Sequence, residues 1–173
     1  VDFVDIDPNT FTICPDALAT KLDEAAKKGC LPKIIVAVHM CGQSPDMVRI
    51  SELTKAYGIR VIEDASHSIG ADYMGRPVGN CAYSDITVFS FHPVKIITTA
   101  EGGMALTNQA NLAERMARLR SHGITRDSEL MTHEADGPRY YQQLELGWNS
   151  RLTELQAALG LSQMKPLSTF IAR

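Results

Sequence analysis

The sequence predicts an α/β fold with a mostly parallel β-sheet and helices on both faces. Two segments, P-K-I-I-V-A-V-H-M at 32–40 and I-R-V-I-E-D-A at 59–65, are continuous apolar runs rich in β-branched residues. Such runs are typical of strands that are buried on both faces. Between them, residues 45–57 place apolar side chains at helical spacing and end at Gly58. A strand, a helix and a strand joined by short connections form a βαβ unit, and its two strands are therefore parallel.

The remaining elements follow from local patterns along the chain. Residues 15–28 predict a helix, because Pro15 suits the first helical position and Gly29 suits the stop. Further predictions are a short strand at 1–6, a small excursion at 71–78 with a turn at Gly75, strands at 85–91 and 102–107, a helix at 109–121, a polar loop at 123–147, and a helix at 153–164 with Thr153 as its N-cap.

Bulk composition excludes several classes of protein. The chain has 173 residues, 45% hydrophobic and 21% charged, with a net charge of −3, which suits a single globular domain. It lacks the basic stripe of a nucleic-acid binder, an apolar run long enough for a membrane span, and a signal-peptide pattern, so we expect a cytoplasmic protein. The four cysteines contain no C-x-x-C, which favours free thiols. A zinc site built from His39, Cys41 and His67 matches no common ligand spacing, so no metal is expected.

Polar side chains accumulate where the predicted strands end. In open α/β sheets, ligands bind beyond the carboxyl ends of the strands. The candidates at these ends are His39 and Gln43 after the first long strand, Glu63, Asp64, Ser66 and His67 after the second, and Ser90, His92 and Lys95 after the third. Together they supply a carboxylate, hydroxyls, imidazoles and an amine.

An amine and a carboxylate on adjacent strands suit pyridoxal 5'-phosphate. A lysine holds this cofactor as a Schiff base, and a carboxylate pairs with its protonated ring nitrogen. The residues alone also allow a plainer interpretation, with Lys95 as a loop lysine, Asp64 as a cap and Ser90 as an ordinary strand serine. Motifs of other enzyme classes are absent: the chain has no G-x-G-x-x-G after a strand, no G-x-x-x-x-G-K-[ST] and no G-x-S-x-G.

Three segments resemble a known enzyme family. They are I-E-D-A-S-H-S-I-G-A at 62–71, F-S-F-H-P-V-K-I-I-T-T-A-E-G-G-M at 89–104, and L-G-W-N-S-R-L-T-E-L-Q-A-A-L-G-L-S-Q-M at 146–164. In order and spacing they resemble the DegT/DnrJ/EryC1/StrS sugar aminotransferases, and the resemblance covers nearly the whole chain. H-M-C-G-Q-S and D-G-P-R-Y-Y-Q-Q-L-E-L-G-W-N most resemble the branch that aminates C4 of a UDP-linked 4-keto-6-deoxy-N-acetylhexosamine in pseudaminic acid synthesis.

The resemblance implies a role for each matching residue. Lys95 corresponds to the catalytic lysine that holds pyridoxal 5'-phosphate, and Asp64 to the carboxylate that pairs with the ring nitrogen. His67 falls where the family places Gln or His near the ring, and Ser90 where it places a phosphate-binding serine. Asn149 corresponds to an asparagine that reaches the phosphate of the neighbouring subunit's cofactor. The resemblance therefore implies a homodimer with shared active sites.

The resemblance also implies a domain organisation and an activity. Residues 1–173 would form most of the large, cofactor-binding domain of the type I aminotransferase fold, with the family's upstream Gly-Thr phosphate loop and small C-terminal domain outside this chain. Ala100 stands where many members have Gly, which we expect to be tolerated, and Ser150 replaces a common aromatic residue, which alters local packing.

The activity implied is transfer of an amino group from an amino-acid donor to a nucleotide-linked 4-ketosugar, and the donor expected is L-glutamate. The product would serve surface polysaccharide or nonulosonic acid biosynthesis. One alternative is a sugar dehydratase that uses the same cofactor, but such members carry His in place of the lysine, and this chain has Lys95. The other alternative is a non-catalytic scaffold or regulator with the same fold.

Overall fold

The computed structural model describes all residues, 1–173, and divides into two compact units. The first unit comprises residues 1–108 and 154–173, and the second comprises residues 109–153. The helices are α1 (Pro15–Lys27), α2 (Met47–Ala56), α3 (Ala110–Leu119), α4 (Glu154–Met164) and α5 (Leu167–Ile171). The strands are β1 (Ile34–Val38), β2 (Arg60–Asp64), β3 (Asp72–Tyr73), β4 (Arg76–Pro77), β5 (Ile86–Ser90), β6 (Gly103–Leu106), β7 (Ile124–Thr125) and β8 (Gln142–Gln143). No helix is both long and apolar enough to span a bilayer.

The first unit is built on a four-stranded sheet in the order β1–β2–β5–β6. β1, β2 and β5 are parallel, and β6 runs antiparallel to β5. The carboxyl ends of the three parallel strands therefore meet at one edge of the sheet. The α/β class with a mostly parallel sheet is confirmed.

Helices α1 and α2 end in the same way because a glycine follows each of them. Gly29 and Gly58 both adopt φ +66. After α1, the Cys30 N–H donates to the Ala25 carbonyl at 2.9 Å and the Gly29 N–H to the Ala26 carbonyl at 3.1 Å. This pair of bonds is a Schellman motif, which satisfies carbonyls left free at a helix end. Both helices thus stop where the chain must turn back towards the sheet.

One face of the sheet carries the hydrophobic core. Because side chains alternate along a strand, Ile35 and Ala37 of β1 share this face with Val61 of β2. The main core cluster consists of Leu18, Leu22, Ile35, Ala37, Met47, Ile50, Ile59 and Val61, so that α1 and α2 both pack on this face. A second cluster lies towards β5 and α5 and consists of Ala65, Val78, Phe89, Phe91 and Ile97.

The opposite face of β1 is exposed in this chain. Ile34, Val36 and Val38 keep 50%, 53% and 42% of their surface accessible. The prediction that segment 32–40 is buried on both faces is therefore wrong for the chain as described. A β-branched run indicates strand structure, but burial also requires a covering element, and here the core clusters lie on one face only.

Other boundaries differ from the predictions in informative ways. Residues 1–6 form no strand, and only an isolated bridge joins Ile6 to Ile13, because an extended segment needs a partner strand. The segment 71–78 is a β-hairpin of β3 and β4, and Met74 and Gly75 form its two-residue turn with φ 52 and 76. The predicted polar loop at 123–147 contains β7, a 3₁₀ turn at Ser128–Leu130 and β8.

In the second unit, the β7–β8 ribbon and the segment that follows it pack closely on the end of α3. Arg115 Nη2 lies 3.1 Å and Arg118 Nη2 2.9 Å from the Glu145 carboxylate. The Arg118 hydrogen bond is the main cause of the lowered pKa of Glu145. The Trp148 N–H donates to the Leu119 carbonyl at 2.7 Å, which fixes the chain next to Asn149.

Gly147 is required because backbone surrounds it, which gives a stability prediction. A Cβ at this position would lie 2.2 Å from the Gly123 nitrogen, 2.5 Å from the His122 carbonyl carbon and 2.7 Å from the Leu119 oxygen. We expect Gly147→Ala to lower the free energy of unfolding by about 3 kcal/mol, measured by urea denaturation. Gly29→Ala is the control, because nothing lies within 4 Å of its Cβ. Only left-handed strain of about 1 kcal/mol should then appear. Equal losses in the two variants would contradict the close packing described for Gly147.

Candidate active site

A cleft lies at the edge of the sheet where the parallel strands end. It has a volume of about 230 Å³ and is lined by Val38, His39, Asp64, Ser66, His67 and Lys95. These residues come from the ends of β1 and β2 and from the turn after β5. The structure thus brings together three of the residues predicted to act in the site, Asp64, His67 and Lys95.

Asp64 is the last residue of β2, and the turn that follows holds its carboxylate. Oδ1 accepts hydrogen bonds from the Ser66 backbone N–H at 3.1 Å and from the Ser66 hydroxyl at 2.5 Å. No group of the chain donates to Oδ2. One carboxylate oxygen therefore fixes the side chain, and the other is available to a ligand.

His67 is oriented by a tight turn that follows β1. Its Nδ1 accepts the backbone N–H of Cys41 at 3.3 Å. Cys41 sits in the left-handed region, with φ 52 and ψ 28, within a 3₁₀ turn at Met40–Gly42. Since Nδ1 is an acceptor, the neutral ring carries its proton on Nε2.

Lys95 lies in a turn just beyond β5. Its backbone N–H donates to the His92 carbonyl at 3.0 Å, and the Val94 N–H donates to the His92 ring at 3.4 Å. The side chain is half-buried, lines the cleft and takes part in none of the chain's ion pairs. No ion pair of the chain therefore engages the Lys95 amine at the cleft.

The loop after Lys95 is tied back to Phe91, the residue after β5, by the Thr99 backbone N–H and by the Thr98 hydroxyl at 3.1 Å. The Thr99 N–H donates to the Phe91 carbonyl at 3.0 Å, and the Thr99 hydroxyl donates to the Glu101 carbonyl at 2.8 Å. Ala100 adopts φ 66, and its N–H donates to the Thr98 hydroxyl at 3.0 Å. Alanine is accommodated here, but the left-handed conformation costs about 1 kcal/mol or more, which explains why glycine suits this position.

Two side chains expected at the ligand side of the sheet lie on its covered face, although His39 also borders the cleft. His39 and Glu63 are buried on the covered face, with 0% and 6% of their surface accessible. His39 Nε2 lies 2.9 Å from Glu63 Oε2, but the two atoms do not align as a hydrogen bond. The other ring nitrogen, Nδ1, has no hydrogen-bond partner. The Thr87 hydroxyl donates to Glu63 Oε1 at 3.1 Å, and the Ser84 hydroxyl donates to the same oxygen. The alternation of side chains along β2 could have shown that Glu63 and Asp64 face opposite sides.

The remaining predicted residues lie outside the cleft lining. Ser90 ends β5 half-buried, and its hydroxyl accepts the His92 N–H at 3.4 Å. Asn149 is exposed in the second unit, where it forms a bridge with Ser121. Their roles towards a phosphate stay predictions. No group of three or more His, Cys, Asp or Glu side chains is arranged to hold a metal ion.

The buried Glu63 carboxyl predicts a pH dependence of stability. Burial raises its pKa, but the contact with His39 and the hydroxyls of Ser84 and Thr87 together outweigh burial, so the pKa is below its ordinary value of 4.5. Because the pKa of Glu63 is lower in the folded state than in the unfolded state, the ionised carboxylate stabilises the fold at pH values above the unfolded-state pKa. This stabilisation is lost as the pH falls through the folded-state pKa.

We therefore expect wild-type protein to exceed Glu63→Gln in unfolding free energy at pH 7, with a difference that narrows below about pH 4.5. Urea titrations at several pH values measure it. Glu114→Gln, on the exposed surface of α3, is the control and should track wild type throughout. A gap that stays constant with pH would contradict an ionised Glu63.

The fold and the cleft define an α/β protein with a lysine and a carboxylate at the carboxyl ends of parallel strands. The sequence model of the DegT/DnrJ/EryC1/StrS aminotransferase family matches residues 1–173. The chain belongs to this family, as the resemblance implied.

Individual relatives show the same likeness. The chain is 42% identical over 137 residues to UDP-4-amino-4,6-dideoxy-N-acetyl-beta-L-altrosamine transaminase of Campylobacter jejuni, covering 77% of this chain and 32% of that protein. It is 38% identical over 165 residues to EpsN of Bacillus subtilis, whose name describes a candidate pyridoxal phosphate-dependent aminotransferase, covering 95% of this chain and 39% of that protein.

Among solved structures, Helicobacter pylori PseC, an aminotransferase involved in the biosynthesis of pseudoaminic acid, is similar with a TM-score of 0.82 and 34% identity. That match covers 97% of this chain and 40% of PseC. The chain spans no more than about 40% of the length of these three relatives.

Proposed function

We propose that this chain forms part of a pyridoxal 5'-phosphate-dependent aminotransferase that aminates a nucleotide-linked 4-ketosugar. The observation that carries the proposal is the meeting of Asp64 and Lys95 in one cleft. The likeness to a transaminase that acts on a UDP-linked amino sugar supports the substrate class, and L-glutamate is the proposed donor. The pathway proposed is surface polysaccharide or nonulosonic acid biosynthesis.

The donor set of the cleft fits this cofactor. Lys95 offers an amine outside every ion pair of the chain, and Asp64 offers Oδ2, which no other group of the chain engages. Asp64 would accept the ring N–H and so keep its proton in place. His67 would lie beside the ring, while Ser90 and Asn149 of the partner subunit would bind the phosphate.

When bound, pyridoxal 5'-phosphate supplies an electron sink that makes the α-proton of an amino acid acidic. Lys95 would have two tasks, since its amine would hold the cofactor at rest and then carry the proton at the donor α-carbon. An acid–base group of this kind contributes on the order of 100- to 10,000-fold to the rate. The lysine also separates this chain from the dehydratase alternative, whose members carry His there.

Self-association is part of the proposal. Helix α4 exposes the apolar side chains of Leu155, Leu161 and Met164, with 85%, 70% and 46% of their surface accessible. Apolar surface of this kind favours contact with another protein surface, and we propose a homodimer with shared active sites. All four cysteines are free, which supports a reducing, cytoplasmic location.

Replacement of the lysine tests the proposal. In the complete gene product, Lys95→Ala should lower the rate of amino transfer by at least 1,000-fold, because both the anchor and the proton carrier are lost. The assay follows 2-oxoglutarate release with a panel of UDP- and dTDP-4-ketosugars. Lys33→Ala is the control, since Lys33 is an exposed lysine just before β1.

Covalent labelling completes that test. Borohydride reduction of the wild-type protein with bound cofactor, followed by peptide mapping, should place the cofactor on Lys95. A label on another lysine, or unchanged turnover in Lys95→Ala, would refute the assignment.

Shared active sites predict complementation between subunits. Lys95→Ala and Asn149→Ala should each be impaired, but a heterodimer of the two contains one site with both native residues. Co-expression with different tags and isolation of the mixed dimer should recover up to about half of wild-type activity per dimer. A mixed dimer no more active than the parents would show that Asn149 acts within its own subunit or outside the site.

A further inference from the structure

The buried pair of His39 and Glu63 lies directly behind the cleft, and catalysis as proposed does not use it. The pair joins two adjacent strands. His39 follows directly after β1, and Glu63 is the second-last residue of β2, where it pairs with Ala37 of β1. Glu63 is anchored on its other side by the hydroxyls of Ser84 and Thr87. The imidazole of His39 is thus held against β2 by a carboxylate that is itself fixed to β5.

The backbone of His39 connects this pair to the cleft. The His39 N–H donates to the Asp64 carbonyl at 3.0 Å. Its own carbonyl accepts the Gly42 N–H at 3.3 Å and the Ser68 hydroxyl at 3.4 Å. One residue therefore links the end of β2, the turn after β1 and the segment that follows His67.

The turn that begins after His39 in turn orients a cleft residue. Cys41 adopts a left-handed conformation, and its N–H donates to Nδ1 of His67 at 3.3 Å. The turn passes close to the segment that carries His67, since a Cβ on Gly42 would lie 3.3 Å from the His67 carbonyl oxygen. A shift of His39 would move the Cys41 donor and release the ring.

We propose that His39 and Glu63 are positioning residues that hold the Met40–Gly42 turn and thereby fix the orientation and the Nε2–H tautomer of His67 in the cleft. Neither side chain touches a ligand in this scheme. The inference rests on the proposed function only in taking the ligand to be pyridoxal 5'-phosphate, since the effect on His67 exists without the cofactor.

If His39 and Glu63 only stabilise the fold, their replacement should leave the tautomer of His67 unchanged. The experiment therefore measures that tautomer directly. In cofactor-free protein, long-range ¹H–¹⁵N correlation spectra report which ring nitrogen carries the proton, and His67→Gln assigns the signal. Wild type should show a single Nε2–H tautomer. His39→Ala should shift the His67 signals towards the average of two tautomers, and His39→Gln, whose side-chain amide can donate to Glu63, should restore most of the difference.

Cofactor affinity is the second readout, measured by absorbance titration with pyridoxal 5'-phosphate. We expect affinity to fall roughly tenfold in His39→Ala and less in His39→Gln and Glu63→Gln, as is typical when a residue that orients a ligand-binding side chain is removed. Thr54→Val is the matched control, because its fully buried hydroxyl bonds within α2 to the Ile50 carbonyl at 2.8 Å. It should lower the melting temperature and leave both readouts unchanged.

The outcomes separate the two proposals. Unaltered His67 spectra in folded His39→Ala and Glu63→Gln proteins that only melt earlier would overturn the positioning role. If His39→Ala does not fold, the comparison of Glu63→Gln with Thr54→Val decides in the same way. Failure of wild type to bind the cofactor would refute the proposed function instead, and the spectra of His67 would still test the inference.

Discussion

The pairing of β2 between β1 and β5 is the constraint on which the rest of the structure depends. It aligns three parallel strands so that their carboxyl ends share one edge, and the cleft forms there. It also fixes which side of the sheet each side chain faces. A shift of register by one residue would exchange Glu63 and Asp64 between the core and the cleft.

The consecutive carboxylates of β2 show how one strand serves two purposes. Glu63 is desolvated and therefore needs His39 and two hydroxyls to remain ionised. Asp64 faces the cleft, where Ser66 holds one oxygen and leaves the other available. The polar core behind the sheet and the polar cleft in front of it are thus built from neighbouring residues, and each depends on the other's geometry.

Much of the fold could be predicted from the sequence because its signals are local. Pro15 and Gly29 bound α1 within a residue, and Gly75 marks the hairpin turn. Asp64, His67 and Lys95 were predicted by their positions after strands and by a family resemblance. The rest depended on partners distant in sequence. The missing strand at 1–6, the β7–β8 ribbon and the exposed face of β1 are all decided by what lies opposite each segment. The buried role of His39 required knowing that Glu63 faces it.

The exposed row on β1 has a consequence for handling the chain in solution. β1 is the outermost strand of its sheet, and no strand pairs with its free edge. Beside that edge lie Ile34, Val36 and Val38, all accessible. An unpaired edge next to an apolar surface is a template for strand addition. Unless another surface covers this edge, raising the concentration favours aggregation through β1, whose last residue, Val38, also lines the lysine cleft.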